Sequence, residues 1–275
     1  MATEKASKEV GAKASTDLST NVDYEAYAGA GFENQTSDDY AIPFLQILQA
    51  LSPQIQENEA LRQGMIINTV TGEVFEAKNG IAFVPATTNH CYVEWKPRDA
   101  GGGFVGIHEV QSELVRACIS GQDFGVYKTP DGNELLETFY VYGIAVMDDG
   151  STCQAVLSFS STKIKKYKAW QTKAKTIQIA LPDGRRIPAP LFAHRYRLKT
   201  VSEKNTKGQF YNWDITFDGE NALACRLAPS DPLFQEAVAV KALIDSGKAR
   251  AAYESQAPGS GDDTEQGSEP GKPKF

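Results

Sequence analysis

The sequence predicts an α+β fold with an antiparallel β-sheet at its centre, flanked by helices and by polar, disordered ends. Hydrophobic residues make up 41% of the 275 residues, which is enough to build a core. Several segments between residues 65 and 217 alternate or run apolar with turn residues between them, a pattern typical of antiparallel strands. Polar segments without a sustained hydrophobic period lie at both ends of the chain.

These changes in composition divide the chain into three parts. Residues 1–37 are expected to form a disordered N-terminal arm, residues 38–253 a single α+β nucleic-acid-binding domain, and residues 254–275 a disordered acidic tail. No apolar run is long enough to span a membrane, and the N-terminus lacks an apolar signal region, so we expect a cytoplasmic protein, in the host cytoplasm if it is viral. The four cysteines form no C-x-x-C pair, which favours reduced core thiols.

The chain from residue 38 to residue 147 predicts two helices and several strands. A cap at Asp39, an early Pro43 and helically spaced apolar residues predict an amphipathic helix near residues 40–51. The elements that follow are a hairpin at 65–75, strands at 81–85 and 91–95, a short helix at 110–119 and a long strand at 135–147. Both faces of the long strand are apolar, so we expect it to be central in the sheet.

A glycine-rich segment at residues 97–103 predicts a flexible loop. Trp95, Lys96 and Arg98 lie on one side of the three glycines, and Phe104 follows them. No Gly-Lys-Ser/Thr follows the glycines, which argues against a nucleoside triphosphate site. A mobile loop that closes over a nucleic acid strand and a plain surface loop are the two interpretations that stay open.

Positive charge is concentrated between residues 158 and 213. This stretch holds thirteen Lys or Arg residues against only Asp183 and Glu203, although the formal net charge of the chain is −7. Its expected elements are a strand at 153–159, a lysine-covered helix from about 163 to 175 and strands at 191–201 and 209–217. A period of two places the cations at 195, 197 and 199 on one sheet face.

Aromatic rings are interleaved with these cations. Cations that contact phosphates, beside rings on which bases stack, are the chemistry of single-stranded nucleic acid binding. The alternative is that the charges solvate an outer face while the rings fill the core. The candidate nucleic-acid-binding residues are Lys163, Lys165, Lys166, Lys168, Trp170, Lys173, Arg195, Arg197, Lys199, Tyr211 and Trp213, of which Trp170, Tyr211 and Trp213 are the stacking candidates.

The C-terminal region predicts helices at 221–227 and 231–253, followed by the acidic tail that ends in Phe275. A disordered acidic tail with a terminal aromatic residue, after a β-rich body with a basic aromatic surface, resembles bacterial and bacteriophage single-stranded DNA-binding proteins. The resemblance is architectural and covers mainly residues 139–217 and 262–275. It implies an OB-like barrel or sheet that holds the strand and a tail that docks replication or recombination proteins. Lys272 and Lys274 depart from the pattern, because the family has carboxylates there.

The sequence therefore predicts a protein without enzymatic activity, metal or cofactor that binds single-stranded DNA with little sequence preference, in viral or bacterial replication, recombination or repair. The acidic tail is expected to occupy the basic surface when DNA is absent. Two other classes stay open. A metal-dependent nuclease, or another enzyme acting on nucleic acid, would need several carboxylates converging on a metal pair. A structural or virion protein would instead use the basic stretch to bind an acidic protein partner.

Overall fold

The computed structural model describes residues 25–27, 30–32, 40–120, 127–206 and 208–253. The chain divides into two compact units, Met1–Gln35 and Thr36–Phe275. A single 3-10 turn at Glu25–Tyr27 is the described element of the first unit. The predicted disordered tail at 254–275, and most of the predicted N-terminal arm, lie outside the described residues.

The second unit combines helices with many strands. Its described helices are α1 (Pro53–Glu57), α2 (Glu113–Ile119), α3 (Lys163–Lys175) and α4 (Pro232–Asp245). Its described strands are β1 (Ala41–Ile42), β2 (Leu45–Ile47), β3 (Ile66–Asn68), β4 (Val74–Phe75), β5 (Ile81–Trp95), β6 (Phe104–Glu109), β7 (Tyr127–Lys128), β8 (Glu134–Val146), β9 (Thr152–Ser160), β10 (Gln178–Ala180), β11 (Arg186–Pro188), β12 (Tyr196–Asn205), β13 (Gly208–Phe217) and β14 (Arg250–Ala251).

A seven-stranded antiparallel sheet forms the centre of this unit. Its main order is β13-β12-β5-β8-β7, with β6 paired to β5 and β9 paired to β8. The sheet confirms a mixed fold with a central antiparallel sheet, and the pairings among the described strands do not close it into a barrel. β5 has 15 residues, and its ladder with β8 shifts register between Pro85 and Thr87. The two strands expected at 81–85 and 91–95 are thus parts of one strand. The register shift lies at Pro85 because proline lacks the N–H that a ladder needs.

Residues 40–51 were expected to form a helix, and this prediction is wrong. The chain there runs as β1 and β2, with Phe44 bridging Val156 of β9 and the amide of Gln49 bonding the backbone of Tyr211 in β13. β2 therefore contacts both ends of the set β9-β8-β5-β12-β13. Residues 42–48 are all buried. A surface helix would bury only one stripe of apolar side chains, so this complete burial fits strands that are covered on both faces.

The central sheet is covered on both faces, which is why β8 is apolar on both sides as predicted. One face, here called the α3 face, packs Phe83, Val141 and Leu198 against Tyr167 and Trp170 of α3. The opposite face, here called the α4 face, packs side chains such as those at 84, 86 and 144 against the apolar side of α4. The two helices thus lie on opposite faces of the sheet.

Most of the remaining predicted elements are present. The hairpins β3–β4, β8–β9 and β12–β13 and the helices α2 and α3 lie where the sequence places them. The last helix ends at Asp245 instead of continuing to residue 253, because Ser246 and Gly247 close its final turn. Residues 221–227 form turns and not the expected helix.

Candidate nucleic-acid interface

Helix α3 follows β9 directly and anchors to the core by one narrow side. Tyr167, Trp170 and Ala174 recur at helical spacing and are buried. The Tyr167 ring stacks on Phe139 of β8 with a centroid distance of 4.5 Å, and the Trp170 ring meets Tyr196 edge-on at 5.5 Å. These contacts fix the rotation of α3, and so they decide which of its lysines point outward.

The outward side of α3 carries four exposed lysines, Lys165, Lys168, Lys173 and Lys175, which we call the lysine face. None of these four amino groups has a carboxylate oxygen within 4.0 Å among the described residues. The helical rise places the first and last of them roughly 15 Å apart along the axis. Lys168 also lies over the Phe139 ring, 5.6 Å from its centroid. The lysine face is thus a set of outward-facing cations along α3 that is available to an anionic polymer.

The two remaining candidate lysines of α3 lie in different surroundings. The side chain of Lys163 is buried, with an exposed fraction of 6%. Lys166 Nζ lies 2.5 Å from a carboxylate oxygen of Glu203 in β12, and Asn212 donates a hydrogen bond to the same carboxylate. Burial raises the pKa of Glu203, but the hydrogen bonds from Lys166 and Asn212, together with the charges of Lys166 and Lys165, outweigh this effect and leave the pKa below its ordinary value. Lys166 therefore joins α3 to the β12–β13 hairpin.

Arg195 and Arg197 share one carboxylate, that of Asp218, and we call them the arginine pair. Arg195 Nε lies 2.5 Å from one Asp218 oxygen, and Arg197 lies 2.7 Å from the other. Asp218 is only 11% exposed in its side chain. Its charge was not counted in the sequence analysis because it follows the basic stretch by five residues. Both guanidinium groups are therefore already bound within the fold.

The arginine pair and the lysine face are also on different sides of the sheet. Arg197 lies opposite Ala82 in register, and alternation places both on the α4 face with Val84. Lys199 shares that face and lies directly opposite Asp214 of β13. The expected single surface of all the cations is consequently divided, with α3 on one face and residues 197 and 199 on the other.

The structure does not leave the stacking candidates open to solvent. Trp213 is 1% exposed and Trp170 is 6% exposed, and both belong to the core on the α3 face. The expectation that they offer a free ring face is wrong for this conformation, because the core under α3 needs large apolar side chains. Tyr211 is half-buried, and its ring packs against the backbone at Gly64, where φ is +90° and an added Cβ would lie 2.5 Å from the ring.

Two exposed cations, Lys175 of the lysine face and Arg186 after it in the chain, were left out of the predicted site. Lys175 is the last residue of α3, and Arg186 begins β11 in the short hairpin that follows. The neighbouring Arg185 is bound by Asp183 at 2.7 Å, whereas Arg186 has no carboxylate within that range among the described residues. The helical period of α3 was sufficient to find Lys175, because it continues the row of Lys165 and Lys168.

All four cysteines are free thiols, and burial raises the pKa of Cys91 to about 12, which disfavours the nucleophilic thiolate. Within the described ranges no group of three or more His, Cys, Asp or Glu residues could hold a metal ion. Across the same ranges, every helix is too short or too polar to cross a membrane.

Comparison with known protein families gives a match over most of the chain. Neither the curated proteins nor the solved structures contain a match to this chain. The sequence model of the Pam3 phage gp34-like protein family matches residues 11–250. This match covers the central sheet, α3 and α4.

Proposed function

The chain belongs to the Pam3 phage gp34-like family, and from that premise we propose that it binds single-stranded DNA with little sequence preference, in phage DNA replication, recombination or repair. The lysine face of α3 carries this proposal. Lys165, Lys168, Lys173 and Lys175 are exposed and unpaired among the described residues, on a helix that the core holds in one rotation. A fixed strip of cations suits a ligand whose negative charges recur along its length.

The order of the strands supports an OB-like arrangement as part of this proposal. β5, β8, β9, β12 and β13 pair in the order β13-β12-β5-β8-β9, with α3 between β9 and β12 in the chain. β5 is long and bent, and β2 lies between the outer strands β9 and β13. OB-folds are five-stranded, partly open Greek-key barrels that bind oligonucleotides. The order of the described strands supports this part of the proposal, although β9 and β13 form no direct ladder.

Phosphate contacts, and not the predicted tryptophans, supply the affinity in this proposal. The proposed phosphate contacts are the lysine face, Arg186 and the exposed part of the Lys166 side chain, which also pairs with Glu203. Lys163, Trp170, Tyr211 and Trp213 act as parts of the scaffold, and Arg195, Arg197 and Lys199 lie on the opposite face. Binding is then tolerant of sequence, because phosphates are the same at every nucleotide.

A titration of labelled single- and double-stranded oligonucleotides across a salt series tests the proposal. We expect the single strand to bind more tightly at low salt, with affinity falling steeply between about 50 mM and 200 mM salt. Replacing Lys165, Lys168 and Lys173 together by Gln removes three phosphate contacts. The slope of log affinity against log salt for the single strand should then decrease in magnitude by about 2.

A matched triple variant separates contact from net charge. Arg62, Lys78 and Arg226 are exposed cations on other elements, and replacing them by Gln changes the net charge by the same amount. This control should leave the salt slope nearly unchanged. Equal losses in both triple variants would show only a non-specific effect of charge, and no binding by the unaltered protein would refute the proposal.

The same titration distinguishes the two other function classes. Cleavage of the oligonucleotide after addition of magnesium or manganese would indicate a nuclease. Indifference to every oligonucleotide, combined with assembly into large particles, would indicate a structural protein whose lysine face meets an acidic partner. The proposal has two further parts that concern the acidic tail, residues 254–275. The tail docks replication or recombination proteins, and it occupies the lysine face when DNA is absent.

A further inference from the structure

The glycine-rich loop at residues 97–103 joins β5 to β6 and has no role in the lysine face. Trp95 and Phe104 stand opposite each other at its base, where the β5–β6 ladder shifts register. The backbone N–H of Lys96 donates a hydrogen bond to the carbonyl of Gly103 at 2.9 Å and closes the loop. The Trp95 ring meets the Phe104 ring edge-on at 5.7 Å. The base of the loop is therefore a rigid aromatic corner.

The ring of Tyr253, the last described residue of the chain, fills this corner. It stacks on the Phe104 ring with a centroid distance of 5.5 Å and an interplanar angle of 11°. Phe44 and Tyr140 line the sides of the ring, at centroid distances of 6.0 and 5.6 Å. The Tyr253 hydroxyl shares a 2.8 Å hydrogen bond with that of Tyr142. We call this set of surrounding rings the Tyr253 pocket.

The segment that delivers Tyr253 is held by a short piece of regular structure. β14 has two residues and pairs with the two residues of β1 in parallel. The N–H of Ala252 then donates to the carbonyl of Ile42 at 2.8 Å. Releasing the segment from β1 therefore breaks few backbone hydrogen bonds. Walls of the pocket, in contrast, belong to long strands of the central sheet.

We propose, on the basis of the DNA-binding function above, that the Tyr253 pocket is a nucleobase-binding site that the free protein fills with its own tyrosine. The Tyr253 ring is flat, lies nearly parallel to Phe104 and offers one polar atom to Tyr142, as a base offers a flat face and polar edge atoms. The exposed Lys96 stands beside Trp95 at the mouth of the loop, where a phosphate joined to that base would lie. A base entering the pocket displaces Tyr253 and takes its place on Phe104.

The pocket and the lysine face are separate parts of the proposed interface. Phe139, under the lysine face, and Tyr140, in the wall of the pocket, are consecutive residues of β8 whose side chains point to opposite faces. A strand reaching both surfaces passes around the sheet, and a short oligonucleotide can occupy the pocket alone. Variants of the two surfaces should therefore have independent effects on affinity.

Hydrogen exchange of the Ala252 amide in the full-length protein tests the displacement. An oligodeoxythymidine long enough to cover one OB-type site, roughly 4–16 nucleotides, serves as the probe. Binding should remove the Ala252 N–H from its bond to Ile42, so its hydrogen exchange should accelerate. Trp95 emission should also change on binding, and this change should be lost in Trp95→Phe.

Substitutions at the two stacked rings test the competition directly. Tyr253→Ala should tighten oligodeoxythymidine binding by roughly tenfold, the equivalent of one or two aromatic contacts that the base no longer has to replace. Adding Phe104→Ala should abolish that gain. Tyr40→Ala, which removes a partly exposed tyrosine with no ring contact in the described part of the chain, should leave affinity unchanged. Tyr253→Leu provides an apolar filler should the alanine variant prove unstable.

The outcomes separate this inference from the proposed function. Unchanged affinity in Tyr253→Ala, together with an Ala252 amide that stays protected in the complex, would overturn the pocket as a base site. If the triple lysine variant still lost its salt dependence in that case, DNA binding itself would stand. A protein that binds no oligonucleotide overturns both.

Discussion

The lysine face of α3 and the arginine pair of β12 have similar sequence signatures and different structural roles. Both belong to one basic stretch, and all their residues except Lys175 were predicted to contact nucleic acid. In the structure the lysine face is exposed and has no carboxylate oxygen within 4.0 Å among the described residues, whereas Asp218 binds both arginines. They also lie on opposite faces of the central sheet.

This difference shows that a count of charges along the sequence does not give the charge available to a ligand. The charge available to a ligand depends on which carboxylates the fold places next to the cations. The β12–β13 hairpin places Asp218 next to Arg195. An arginine pair that is already bound is expected to matter for stability, and an unpaired lysine face for binding. The following predictions separate these two roles.

The largest expected effect is on stability and comes from the residue under the lysine face. Trp170→Ala should lower the free energy of unfolding by about 3–5 kcal/mol, because the indole is 94% buried between α3 and the sheet. Urea denaturation monitored by circular dichroism measures it, and Trp170→Phe should cost less. A variant as stable as the unaltered protein but weaker in DNA binding would restore Trp170 as a stacking residue.

A smaller loss of stability is expected at the arginine pair. Asp218→Ala leaves two guanidinium groups without their carboxylate and should lower the free energy of unfolding by about 1–3 kcal/mol. Arg195 and Arg197 replaced together by Gln should likewise destabilise the fold, while the salt slope of DNA binding stays as it was. A reduced salt slope in the double arginine variant would place these residues at the interface after all.

The smallest effect is a dependence of stability on pH next to the arginine pair. Burial and the nearby Arg226 lower the pKa of His194 in the folded protein. The unfolded chain then binds a proton more readily, so this contribution to stability is complete above the ordinary histidine pKa and is lost as pH falls below it. The loss has a limiting slope of about 1.4 kcal/mol per pH unit.

Thermal unfolding between about pH 7.5 and about pH 5.5 measures this contribution. His194→Gln removes the titrating group and should reduce the dependence on pH. An identical pH dependence in the variant and the unaltered protein would contradict the assignment to His194.

The sequence was sufficient for elements whose neighbours are close in the chain. The β8–β9 and β12–β13 hairpins and α3 were predicted because turn residues and a clear period mark them. β2 was missed because every residue of it is buried, so no alternation distinguishes it from a helix. Its burial depends on β9 and β13, more than a hundred residues away, which no local pattern records.

The candidate site was predictable only in part, for a related reason. Lys165, Lys168 and Lys173 lie on the outside of α3 as the helical period required. Period alone did not reveal that Trp170 and Trp213 point into the same core, because that depends on the packing of α3 on the sheet. Phe104 was noted as a flank of the glycine-rich loop, but its contact with Tyr253 joins residues from distant parts of the chain.

The amide of Gln49 has a consequence for how copies of this protein behave when crowded. β13 stands at the end of the sheet order, yet Gln49 both donates to the carbonyl and accepts from the N–H of Tyr211. Asn212 accepts a hydrogen bond from the next outward N–H, that of Trp213. Two side chains thus occupy three backbone groups in the middle of β13 through which a foreign strand would add to this border, which shortens the edge open to such pairing.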